Sequence, residues 1–322
     1  VDELARAGER AEAAGDAEAA AFAQLWLGYL HNRREERERA VEHFERSAAL
    51  APPSTDLCAA LCQTYARLGR DGPARDWGAK SLALRAAERV ARARPRAFDP
   101  TARRRNVLAF SLFGADPYYR ECAVTIARSA RGIFPEFTCR FYCAPEIPDP
   151  VRGAIAAAGA QVMVVTARDP GPQHPFAGLM WRFLAFDDPQ ADLVLVRDVD
   201  SPFTLRERAA IDLWLSGEAP FVTIRDHVNH TEPLMAGMWG GFTGLLPPLG
   251  PAAARFLPPD RSRYVDQQFL RRFVWPRIRD ATLAVDSVYA LGESVDFPPG
   301  CPAAGSIRAG SGWSRKQILG AG

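Results

Sequence analysis

Ala191-Asp192-Leu193-Val194-Leu195-Val196-Arg197-Asp198-Val199-Asp200-Ser201 places an unbroken apolar run, Leu193 to Val196, directly ahead of two carboxylates one residue apart. A short run rich in Val and Leu reads as a strand buried on both faces. On an extended chain, positions i and i+2 point to the same side. Asp198 and Asp200 are therefore expected to converge where the strand ends. In parallel sheets that is where ligands sit, beyond the carboxyl ends of the strands. Two hard oxygen ligands at such a place suit Mg2+ or Mn2+, which keep waters and bind a few carboxylates together with substrate phosphates. The plainer alternative is an acidic turn in which Asp198 or Asp200 caps the next segment.

Working outward, the same texture recurs. Val107–Phe113 (VLAFSLF), Thr138–Ala144 and Gln161–Thr166 read as strands. Tyr118–Phe134, Val151–Ala158 and Leu179–Phe186 read as helices between them. Phe221–Ile224 is a further strand beyond the Asp-x-Asp segment. This βαβα rhythm predicts an α/β fold with a mostly parallel sheet and helices on both faces.

The first 97 residues differ, being almost wholly helix-compatible and rich in Ala, Glu, Arg and Leu. Aligning Ala21–Ser54 with Thr55–Glu88 gives a period of 34. Leu27-Gly28, Ala40, Phe44, Ser47 and Pro52 in one copy face Leu61-Cys62, Tyr65, Ala74 and Ser81 in the other. The pattern resembles tetratricopeptide repeats, in which small residues let paired helices approach and large ones fill the gap between them. Gln24, His31, Gly78 and Ala86 depart from it. Residues 2–14 are expected to form a helix covering the open end of the stack. Between the two regions, Arg89 to Arg105 carry many arginines broken by Pro95 and Pro100, which reads as a solvated linker. The expected division is a helical-repeat domain over 1–97 and an α/β domain over 98–322.

Composition sets outer bounds. In 322 residues, 48% are hydrophobic and 24% charged, as in ordinary globular chains. The formal net charge of +2 offers no global field for nucleic acid, so no nucleic-acid partner is expected. No apolar run approaches the roughly 18–20 residues of a membrane span. The N-terminal stretch reads as a charged, Ala-rich helix without a basic-then-apolar leader layout. Cys58, Cys62, Cys122, Cys139, Cys143 and Cys301 show no zinc-like grouping with histidine. They read as reduced, buried thiols, and a cytoplasmic location is expected.

Several motifs then follow in order. MWRF places Arg182 ahead of the Asp-x-Asp segment, GMWGG (Gly237 to Gly241) follows it, and YVDQQFL carries Asp266-Gln267. Together with VLAFSLFG and FYCAPEIPDP, these resemble GT-A-fold, Asp-x-Asp glycosyltransferases of a bacterial type over about residues 105 to 300. The resemblance implies a Rossmann-like, mostly parallel mixed sheet that holds a nucleotide-diphosphate sugar, most often a UDP-sugar, with Mn2+ or Mg2+. It implies that Asp198 and Asp200 hold the metal, and that Arg182 faces the donor diphosphate. Arg197, Asp198, Gly240 and Gly241 join it in the donor site, with Asp266 and Gln267 beside the reacting sugar. Relatives commonly supply a late histidine as third metal ligand, but no histidine follows His230 here. Asp286, or water, is expected in that place.

Asp226 and His227 follow the strand Phe221–Ile224 and are candidates for acid–base or hydrogen-bonding work; a capped structural turn is the plainer reading. His174 lies in the loop GPQHPF and reads as surface or lid. Trp181 and Trp239 read equally as stacking platforms and as core. The expected partners are a sugar nucleotide and a peptide, protein or glycan acceptor held by the repeats. If the repeats instead serve dimerisation, a second copy joins them. A nucleotidyltransferase would share the sheet and carboxylates, but Phe113-Gly114-Ala115-Asp116-Pro117 lacks the Gly-rich basic loop it needs. An inactive repeat scaffold is the other alternative, and the intact Asp198, Asp200 and Asp266 argue against it.

Overall fold

A computed structural model describes residues 2–86, 105–165, 176–256, 262–290, 292, 294–301 and 308–319. The expected boundary between 97 and 98, the arginines of the linker up to Arg104, and His174 lie outside these residues. The chain forms two compact units, one of Val1–Ala87 with His227–Pro233, the other of Glu88–Asp226 with Leu234–Gly322.

The first unit holds α1 (Asp2–Ala13), α2 (Ala17–Arg33), α3 (Arg37–Leu50), α4 (Thr55–Arg67) and α5 (Asp71–Ala86). Side-chain caps start two of them. Asp16 accepts from the Ala19 amide at 3.0 Å and Ser54 from the Leu57 amide at 3.1 Å, each satisfying a donor that the helix leaves open. Two bonds recur at a spacing of 34 residues. Ser47 donates to the Ala21 carbonyl at 2.8 Å and Ser81 to the Thr55 carbonyl at 3.2 Å, corresponding bonds in the two copies. A Cβ on Gly28 would lie 2.4 Å from the Phe44 ring, so only glycine lets α2 and α3 close to this distance. Gln24 and His31, where large apolar residues were expected, build a polar cluster instead. His43 bonds Gln24 Oε1 at 2.7 Å, His31 bonds Glu36 Oε2 at 2.5 Å, and the two imidazoles stack with centroids 5.0 Å apart.

His227–Pro233 belongs to this helical unit although it lies far along the chain. Val228 packs on the cluster of Phe44, Leu57, Leu61 and Tyr65, and Cys62 Sγ donates to its carbonyl at 3.1 Å. Arg85, 6% exposed, donates to Thr231 Oγ1 at 2.9 Å and pairs with Glu232 Oε1 at 3.1 Å.

The second unit is built on a seven-stranded sheet in the order β3-β2-β1-β4-β6-β5-β7. Its strands are β1 (Asn106–Leu112), β2 (Phe137–Cys143), β3 (Gln161–Val164), β4 (Leu193–Arg197), β5 (Phe221–Arg225), β6 (Met238–Phe242) and β7 (Thr282–Asp286). β6 alone runs antiparallel to its neighbours, as a mixed sheet requires. The connecting helices include α6 (Pro117–Ile133), α7 (Asp149–Ala157), α8 (Leu205–Leu215) and α9 (Leu249–Phe256). The helix expected at Leu179–Phe186 is a 3-10 helix over Ala177–Asp187. α10 (Val265–Phe269) runs through a π-turn at Leu270–Val274 into α11 (Trp275–Ile278), and α12 (Arg315–Leu319) ends the described chain. The central strands are buried along their length, β4 wholly so, as its apolar run demands. Among the described residues, no helix is long and apolar enough to cross a membrane.

Candidate functional site

At the carboxyl end of β4 the chain leaves the sheet at Arg197 and delivers Asp198, Val199 and Asp200 to a cavity of about 580 Å³. Ser111 and Leu112 from the end of β1 line it, with Arg182 from the 3-10 helix and Asp266 and Gln267 from α10. The volume is that of a small-molecule site.

Arg182 organises the floor. Its side chain is 3% exposed. One guanidinium nitrogen donates to Asp198 Oδ1 and the other to Asp266 Oδ2 at 2.7 Å, so Arg182 bridges the two carboxylates. Its amide donates to Ser111 Oγ at 3.0 Å, which ties the 3-10 helix to β1. Burial works against the Arg182 charge, but the two carboxylates outweigh it and raise its pKa. Asp266 is held above the ordinary carboxylate range, by burial first and by the Asp198 charge next, against the pull of Arg182. Burial, then the neighbouring Asp198, likewise raises Asp200.

Gln267 acts at the edge of the floor. With its amide nitrogen toward the Leu234 carbonyl it donates at 2.9 Å and accepts from the Ala236 amide at 2.9 Å. This pins the segment that enters Gly237. A Cβ there would lie 2.0 Å from Asp198 Oδ2, so glycine is what lets the segment pass against the carboxylate. Arg197 secures the same place from behind. It donates to the Gly237 carbonyl at 3.0 Å and pairs with Glu207 of α8 at 3.0 Å, both side chains 2% exposed.

The other expected site residues lie elsewhere. Arg197 faces the core and does not line the cavity, because Glu207, ten positions on, draws its guanidinium inward. A Cβ on Gly240 would meet Leu195 and the Val194 carbonyl at 2.5 Å, and one on Gly241 would meet the Phe221 ring at 2.1 Å. Their smallness serves the packing of β6 between β4 and β5. Asp286 accepts from Arg225 at 2.7 Å and from the Val288 and Tyr289 amides at 2.8 Å, an inward set that leaves it outside the cavity lining. Asp226, 0% exposed, accepts from two Arg206 nitrogens at 2.8 Å, Ser287 at 2.6 Å and the Ala309 amide at 2.9 Å. Burial would raise its pKa, but these bonds, led by Arg206 and Ser287, lower it. His227 belongs to the helical unit, where its Nδ1 accepts from the Asn229 amide at 3.1 Å. Trp239 stacks on Phe186 at 4.8 Å and Trp181 meets Phe113 edge-on, both buried.

Two contributors had little signal in the sequence. Tyr119, Arg263 and Tyr264 line the cavity mouth; Tyr264 opens the YVDQQFL stretch, but neither Tyr119 nor Arg263 belongs to a recognisable motif. The C-terminal segment returns as a strap. The Trp313 amide donates to the Asp200 carbonyl at 2.9 Å, Ser201 Oγ to the Ser311 carbonyl at 3.1 Å, and Arg315 clasps Asp116 at 2.8 and 2.9 Å. Contacts spanning more than a hundred residues leave no local pattern.

Three carboxylates (Asp198, Asp200, Asp266) against one guanidinium (Arg182) leave the floor with a formal deficit of two charges. A hard divalent cation answers that deficit. Among the described residues, no cluster of three or more His, Cys, Asp or Glu is arranged to hold a metal ion. Asp198 and Asp200 alone would leave most positions of a Mg2+ or Mn2+ ion to water and phosphate oxygens, an arrangement those ions accept.

No family model and no curated protein matches the chain. Among solved structures it is similar to a mutant O-GlcNAc transferase of Thermobaculum terrenum, at 16% identity and a TM-score of 0.24, over 51% of this chain. The chain spans about two-fifths of that protein, 41%. It is also similar to a mannosyltransferase from Pyrobaculum calidifontis in complex with GDP-Man and Mn2+, at 14% identity and a TM-score of 0.33, over 65% of this chain and 67% of the other. At these scores neither likeness bears on what the cavity binds.

Proposed function

We propose that the α/β unit is a GT-A-type glycosyltransferase that takes a nucleotide-diphosphate sugar, a UDP-sugar first among them, and passes the sugar to an acceptor hydroxyl. The observation that carries this reading is the meeting of Asp198, Asp200, Asp266 and Gln267 in one cavity at the carboxyl end of β4. Asp198 and Asp200 would hold Mn2+ or Mg2+, which supplies charge neutralisation for the departing diphosphate. Arg182 fixes the spacing of Asp198 and Asp266 through its two bonds. Transfer breaks the bond from the anomeric carbon to the diphosphate oxygen and forms one to the acceptor oxygen, whose proton must go to a base. Asp266, with the raised proton affinity of a buried carboxylate, is suited to take that proton or to face the oxocarbenium-like centre. Gln267 holds the Leu234–Ala236 segment that borders both.

The helical unit is read as a pair of tetratricopeptide-like repeats that engages the acceptor, a peptide or protein segment. The recurring Ser47 and Ser81 bonds support the repeat reading. Five of the six thiols are buried, which suits a cytoplasmic protein whose cysteines stay reduced.

The test is a panel of sugar nucleotides with Mn2+ or Mg2+, scored by released nucleoside diphosphate. Wild-type chain should hydrolyse at least one donor slowly. Asp198→Asn and Asp200→Asn should each remove most of that activity with thermal unfolding unchanged. Turnover at the wild-type rate in both variants would rule these carboxylates out as the metal site.

A further inference from the structure

Sequence resemblance alone makes Arg182 the cation that meets the donor diphosphate, but the geometry points to Arg263 in that role. We infer that Arg263 is the guanidinium that grips the diphosphate, and that Arg182 is a positioning residue for Asp198 and Asp266; this rests on the glycosyl-transfer reading.

Both terminal nitrogens of Arg182 already donate to carboxylates, and one of them also donates to the Arg197 carbonyl at 3.2 Å. A diphosphate would have to compete with Asp198 and Asp266 for those donors, and the nitrogen without a partner, Nε, is buried. Asp266 is 5% exposed, and losing its partner would strand a charge in the interior. The Arg182 side chain, 3% exposed, also presents little surface to a ligand. It holds two anions apart, and its buried side chain gives a third little access.

Arg263 has the opposite character. It lines the same cavity, is exposed, and pairs with no carboxylate among the described residues. Its guanidinium lies 5.5 Å from the Tyr264 ring centroid, which restrains its direction without using its donors. A guanidinium with no carboxylate partner among the described residues offers the planar fork that matches phosphate oxygens. The charge balance agrees. The floor carries an excess of carboxylates that rejects an anion unless a divalent ion intervenes, so added attraction for a diphosphate must come from the mouth. Tyr119 and Tyr264, 39% and 56% exposed, flank Arg263 there with aromatic faces suited to a nucleoside.

The experiment is calorimetric titration of the full chain, with Mn2+ present, by UDP, GDP, uridine and guanosine. Arg263→Ala should weaken the nucleoside diphosphate that binds by about tenfold or more and leave its nucleoside within about twofold, while Arg263→Lys, which returns the charge but not the fork, should restore the binding only in part. Arg182→Lys keeps one cation but cannot bridge both carboxylates. It should lower the affinity for Mn2+ alone, read by electron paramagnetic resonance, without a loss selective for the diphosphate. Equal losses of diphosphate and nucleoside in Arg263→Ala would overturn the inference, and so would a selective loss confined to Arg182→Lys. A wild-type chain that binds none of the four ligands would instead sink the glycosyl-transfer reading, and this inference with it.

Discussion

At the level of single residues, the site depends as much on what is missing as on what is present. Gly237 has no side chain where Asp198 Oδ2 passes, and a Cβ would stand 2.0 Å from that oxygen. Neither atom can yield easily, because Arg197 holds the Gly237 carbonyl and Arg182 holds the other carboxylate oxygen. Gly237→Ala should therefore swing Asp198 off its position and cost most of the metal-dependent donor hydrolysis. The fold should persist, since β6 beyond it is untouched. Released nucleoside diphosphate and the melting temperature, measured on one preparation, check both halves. Unchanged hydrolysis would show that Asp198 tolerates displacement. The pair Asp198 and Asp200 was legible in the sequence because an apolar strand announces its own end. Arg197 was not. It is the residue before the pair, but its direction is set by Glu207 on α8, and no spacing rule links a strand end to that helix position. Asp226 and Asp286, which do not line the cavity, were no more legible. Each is an acidic residue at a strand end like Asp198, and no local spacing announces the buried pairs they make with Arg206 and Arg225.

Among the elements, the βα rhythm was plain because buried strands and amphipathic helices differ in period, and β1 to β4 lie close to where the pattern predicts. The antiparallel β6 and the C-terminal strap were not, because both depend on long-range pairing. The strap has its own signature. The Arg315 guanidinium, and then the Tyr118 amide, hold the Asp116 carboxyl down at about 2. A depressed carboxylate contributes its stabilisation above its ordinary value of 3.8, and loses it as the pH falls toward 2. The clasp therefore persists through the mildly acid range. Arg315→Ala should return Asp116 toward its ordinary value, visible in a carboxyl NMR titration. It should also speed proteolytic trimming of the segment after Arg308. Since the strap donates the Trp313 amide to the Asp200 carbonyl, donor hydrolysis should fall modestly as well. An unmoved Asp116 titration would show that the clasp is not made in solution.

On the scale of the whole molecule, the helical unit is not one continuous stretch of chain. Its α4–α5 pair is completed by His227–Pro233, through Val228, Thr231 and Glu232. Arg85→Ala removes one member of a largely buried pair and leaves Glu232 without it, a change that typically costs about 3–5 kcal/mol. Hydrogen exchange should show α4 and α5 opening more readily, while the amides of β1 and β4 keep their protection. If the repeats engage the acceptor, transfer should fall in this variant while donor hydrolysis holds. Equal protection in α4 and α5 would mean that the inserted segment contributes little. The discontinuity also sets a timetable for biosynthesis. On a ribosome adding roughly 5–20 residues per second, about 7–30 s separate the emergence of α5 from that of Pro233. For that interval the helices have left the exit tunnel but lack the piece that buries Leu57, Leu61 and Tyr65 to their final extent. The nascent helical unit therefore waits half-made, and a chaperone that shelters apolar helical surface has its longest opportunity there.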